Sequence, residues 1–74
     1  MNAPDRKLPG NPADLASVHY GDGEFVVLKA GRFVKCAVTG ALIPLDALRY
    51  WSPDLQEAYA TPADALARWR ELNP

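Results

Sequence analysis

Cys36 is the only cysteine in 74 residues, and that limits the fold more than any other feature. One thiol cannot build an internal disulfide framework. Nor can it build a zinc site from four cysteines of one chain. The length allows one domain, close to the lower limit at which a single hydrophobic core is self-sufficient. Packing and hydrogen bonds therefore have to hold the chain, and neither a cofactor nor a metal is expected. A formal net charge of −1 argues against a strongly electrostatic nucleic-acid binder, which is usually markedly basic. No apolar run approaches the roughly 18 to 20 residues of a membrane span, and no secretory segment follows Met1. The expected address is the cytoplasm.

Two regions differ in composition. Residues 1–14 hold three of the seven prolines (Pro4, Pro9, Pro12), with Leu8 and Met1 as their large apolar side chains. Such a segment has too little apolar surface to offset its ordering entropy and reads as a flexible tail. Residues 15–74 form the single domain.

Within that domain, residues 16–20 suggest a short strand followed by the turn Gly21-Asp22-Gly23. Residues 24–29 (EFVVLK) carry apolar side chains on both faces, the pattern of a central strand covered on two sides. After Ala30-Gly31, residues 32–36 are expected to return as its hairpin partner. That would set Leu28 opposite Phe33 and Val27 opposite Val34. Residues 45–48 suit one helical turn or a loop. A second hairpin is expected from residues 49–52 and 55–59 around Ser52-Pro53-Asp54, with Trp51 opposite Gln56 and Tyr50 opposite Glu57.

The chain closes with a helix. Thr61 suits the N-cap, Pro62 the first helical position, and Asp64 the positive end of the dipole. Leu66 and Trp69 recur at helical spacing and are expected to dock on the sheet. The fold class is therefore α+β: a small β-rich domain of two β-hairpins with one C-terminal helix.

Cys36-x-x-Thr39-Gly40, a hairpin, then Thr61-x-x-Asp64 on a first helical turn follow the element order of a zinc treble clef. Three of its four ligand positions would be Thr39, Thr61 and Asp64. One reading is a metal-free treble-clef-like arrangement held by hydrogen bonds; the plainer one makes Cys36 a small buried apolar residue. No sequence signature of an enzyme is present: no Walker A run, G-x-G-x-x-G, H-E-x-x-H or G-x-S-x-G.

The aromatic residues suggest binding. Strand alternation places Arg49, Trp51, Gln56 and Ala58 on one face of the second hairpin. Trp and Arg dominate binding hot spots, so Arg49, Trp51 and Gln56 form the candidate partner face. The plainer alternative packs Trp51 on the first hairpin. Lys29, Arg32 and Lys35 form an alternative basic patch for RNA, or a solvated edge that discourages aggregation.

The stretch VKCAVTGALIPLDALRYWSPDLQEAYATPADAL resembles the bacterial domain of unknown function 2093 family. The resemblance rests on CAVTG (residues 36–40), Ile43, Pro44 and Leu45, the run LRYWS (residues 48–52) and QEAY (residues 56–59). It implies a stand-alone bacterial protein and carries over no catalytic residues. The leading expectation is a non-enzymatic protein-interaction module, monomer or weak homodimer, with an unidentified protein partner. Weak RNA- or ribosome-associated binding is the alternative.

Overall fold

The computed structural model describes residues 14–74, so the expected tail lies outside the described residues except for Asp14. The elements are β1 (Ser17–Tyr20), β2 (Phe25–Lys29), β3 (Phe33–Lys35), β4 (Leu42–Pro44), a 3-10 turn (Leu45–Ala47), β5 (Tyr50–Ser52), β6 (Glu57–Tyr59) and α1 (Pro62–Leu72). The strands pair antiparallel as β1–β2, β3–β4 and β5–β6. The α+β class stands, with three strand pairs in place of two hairpins.

The first pairing differs from expectation. The Gly21–Glu24 backbone bond (2.8 Å) closes the turn that folds β2 onto β1. Tyr20 then faces Phe25, His19 faces Val26 and Val18 faces Val27. β2 is therefore not a covered central strand, and neither Leu28–Phe33 nor Val27–Val34 is a pair. Gly31 explains why. It serves close approach rather than a hairpin turn: a Cβ there would lie 2.7 Å from Ala16 Cα and nearer still to Ala16 N. The chain instead crosses residues 14–16, fixed by Arg32 N to Asp14 O (2.9 Å) and Ala16 N to Phe33 O (2.8 Å).

β3 is the spine of the molecule. Val34 faces Ile43 across β3–β4, and both are buried. The Cys36–Ala41 connection is closed by Cys36 N to Ala41 O (2.8 Å) and Gly40 N to Cys36 O (2.9 Å). Gly40 has φ +78°, a value that an L side chain resists. Past β3, Cys36 bridges Ala58 in parallel, and Ala37 N donates to Ala58 O (2.8 Å). Tyr20, Val34, Cys36, Ile43, Leu48 and Ala58 form the buried cluster, with Val18, Phe25 and Trp51 packed against it.

The helix starts as expected. Thr61 Oγ1 accepts from Asp64 N (3.1 Å), and Pro62 opens the helix. Its orientation does not match expectation. Leu66 and Trp69 face solvent, Trp69 at 58% exposure, while Asp64, Ala65 and Arg68 are the half-buried residues. Polar contacts hold the helix down. Arg68 Nε donates to Glu57 Oε1 (2.7 Å), and Tyr59 OH donates to the same oxygen (3.0 Å). Burial and this acceptor push the Tyr59 hydroxyl above its ordinary value, so it remains a donor.

Gly31→Ala should destabilise the fold by about 2 kcal/mol or more, because a methyl group has to displace backbone. Urea unfolding of the variant tests this; an unchanged midpoint would contradict the crossing at residues 15 and 16.

Candidate functional site

Of the four positions singled out around Cys36, two meet directly, Cys36 and Asp64. Cys36 Sγ donates to Asp64 Oδ2 at 3.6 Å, joining the β3–β4 connection to the first turn of α1. Burial pushes the Cys36 thiol up. Hydrogen bonds from the Thr39 hydroxyl and from the N–H groups of Thr39, Ala60 and Val38 outweigh it and set the thiol below its ordinary value. Thr39 Oγ1 also accepts from Ala41 N (3.2 Å), and Thr61 caps the helix that carries Asp64. Among the described residues no three His, Cys, Asp or Glu side chains cluster, and His19 lies exposed on β1.

The second feature is an open groove of about 600 Å³ between the Gly21–Gly23 turn, β5 and α1. Arg49, Tyr50, Trp51, Tyr59 and Ala65 line it. Two members of the expected partner face, Arg49 and Trp51, border this groove; the third has another task. Gln56 Oε1 accepts from Tyr20 N (3.0 Å) while Gln56 Nε2 donates to Tyr20 O (2.7 Å) and Pro53 O (2.8 Å). Its side chain pairs with β1 as a strand would.

Gln56 also shifts the hairpin. Its φ of +54° makes it part of the turn, so Trp51 faces Ala58 and Tyr50 faces Tyr59, two residues from the expected pairing. Trp51 packs on the first hairpin, which corrects the outward placement. Its ring meets Phe25 edge-on at 5.6 Å, and Nε1 donates to Gly21 O (2.7 Å). Arg49 remains exposed, and among the described residues no ion pair includes it.

The basic residues fall on different sheets. Lys29 ends β2 opposite Ser17, and Lys35 ends β3 opposite Leu42. Arg32 lies between them, 3.8 Å from Asp14 and over the Phe33 ring.

Sequence reasoning missed the outer stripe of α1. Ala65, Trp69 and Leu72 follow i, i+4, i+7 spacing and so share one helical face. Ala65 lines the groove, and Trp69 and Leu72 continue its face in the open. The spacing was visible, but it is equally the signature of a core-facing stripe.

The family model described as "Uncharacterized protein conserved in bacteria (DUF2093)" matches residues 27–68. That span runs from β2 into α1 and contains Cys36, Thr39, Arg49, Trp51, Gln56, Thr61 and Asp64. No curated protein and no solved structure matches the chain.

Cys36, Asp64 and Gln56 each have a measurable consequence. A thiol value lowered by folding gives stability that is fully present above the unfolded value and is lost as pH falls through the folded one. The urea midpoint should therefore rise with pH across that interval, and Cys36→Ala should remove the rise. Asp64→Asn removes the carboxylate that favours the protonated thiol, so thiolate absorbance should develop at lower pH than in the wild type. Gln56→Ala should cost about 2 kcal/mol through the loss of its links to Tyr20, measured by the same unfolding assay.

Proposed function

The chain belongs to the bacterial DUF2093 family, and on that premise we propose that it is a non-enzymatic protein-interaction module. One observation carries this reading: α1 docks by its polar side and turns Leu66, Trp69 and Leu72 to solvent. A chain this short has few apolar side chains to spare, and an exposed tryptophan in line with a groove is the arrangement of a binding anchor. The groove supplies Tyr50 and Trp51 as apolar walls and, at its border, Arg49, a cation with no ion-pair partner among the described residues. The partner it suits is a protein segment that lays apolar side chains along α1 and offers a carboxylate to Arg49. In this reading Arg49 and Trp51 belong to the partner face through the groove wall that they line. Trp69 replaces Gln56 as the third member, since Gln56 engages Tyr20.

Weak RNA binding through Lys29, Arg32 and Lys35 is the second reading. It is supported by the Arg32 guanidinium over Phe33, a surface on which a base could stack. Its affinity would fall steeply with salt.

Trp69→Ala should weaken partner binding by about 2 kcal/mol while changing stability by no more than about 0.5 kcal/mol, because the ring is exposed. Arg49→Glu should weaken it as well. Affinity capture from the native host, with wild type beside Trp69→Ala and an Arg70→Ala control, gives the readout. A protein retained by wild type and control but lost with Trp69→Ala supports the reading; equal retention by all three contradicts it.

A further inference from the structure

We infer that β2 is a self-pairing edge through which two copies of this chain join, forming one four-stranded antiparallel sheet with strand order β1-β2-β2-β1. This surface lies on the first hairpin and does not depend on the groove or on Trp69. Among the described residues β2 pairs with β1 alone, so its other edge has no ladder partner. Val26, Val27 and Leu28 on that strand are 52%, 43% and 69% exposed. Three consecutive apolar residues beside an open edge are the arrangement that draws in another strand. An isolated two-stranded hairpin is also marginal, and added strands stabilise it.

The charge pattern selects a second copy, running antiparallel. Glu24 precedes β2 and Lys29 ends it. Antiparallel self-pairing brings the acidic end of one strand toward the basic end of the other, whereas parallel pairing would set Lys29 beside Lys29. A two-fold axis perpendicular to the sheet keeps each face on its own side, so a strand residue can lie opposite its own copy. Centring that axis on Val27 places Val27 opposite the partner's Val27. Val26 then lies opposite the partner's Leu28, and Phe25 opposite the partner's Lys29. All three exposed apolar residues acquire an apolar neighbour across the seam, and no like charges oppose each other. A seam of one strand pair falls below the roughly 1,200 Å² of stable complexes, so the dimer is reversible and concentration-dependent.

Sedimentation velocity of the full chain from micromolar to millimolar concentration tests the assignment. The wild type should move from monomer to dimer across that range. Val27→Lys and Val27→Glu should each raise the dissociation constant at least about tenfold, since like charges then oppose at the axis. Mixing the two variants should restore dimers, because Lys then faces Glu. Near-ultraviolet circular dichroism of Trp51 against Phe25 shows that the variants stay folded. If a variant unfolds, amide exchange of β2 in the wild type decides instead: slowing with concentration supports the seam, and no change overturns it. A wild type that stays monomeric overturns the inference, including the case in which residues 1–13 cover the edge. Variants that dimerise as well as wild type, or a mixture that stays monomeric, overturn it too.

Discussion

The Cys36 sulfur sits where otherwise separate pieces of the chain meet. Its residue follows β3, bridges Ala58 of β6, and reaches Asp64 on the first turn of α1. None of the three strand pairs would persist alone, because a two-stranded sheet gains too little burial to offset its ordering. They cohere because each is tied to another by a specific hydrogen bond. Ala16 N to Phe33 O ties the start of the first pair to β3, Ala37 N to Ala58 O ties β3 to β6, and the Gln56 amide ties β1 to the last hairpin. Cys36 lies at the centre of this web, 3% exposed.

This way of joining the parts has a consequence for the surface. The helix is held by Asp64, Ala65 and Arg68, two of them charged, so its large apolar side chains are free of the core. The small core likewise leaves the second half of β2 uncovered. The apolar surface that a larger domain would bury is thus kept at two places, one on the helix and one on the first hairpin. Both proposed interfaces draw on this exposed apolar surface.

Much of the local structure could be read from residues whose chemistry acts over a few positions. Thr61, Pro62 and Asp64 specify the helix start, and Gly40 specifies the bend after Cys36, because caps and positive φ are local requirements. The meeting of Cys36 with Asp64 was legible from spacing and element order. Long-range choices were not. Gly31 resembles a hairpin turn in sequence, yet its reason lies in the backbone of residues 15 and 16. The left-handed conformation of Gln56 has no sequence signal, and it moved the last hairpin by two residues. Because side chains alternate with period two, that shift kept the face partition and altered only the partners. The helix stripe was assigned to the core since periodicity reports amphipathicity, not which side is docked. Here Asp64 and Arg68 decide the side.

The account rests on protein groups alone joining the bend after Cys36 to the start of α1. An amide NMR spectrum of the purified chain, recorded before and after a strong chelator, tests that most directly. The account predicts a dispersed spectrum that does not change, with Val38, Thr39 and Ala60 keeping their shifts. Collapse of the dispersion on chelation would show that an ion holds the junction, and would contradict it.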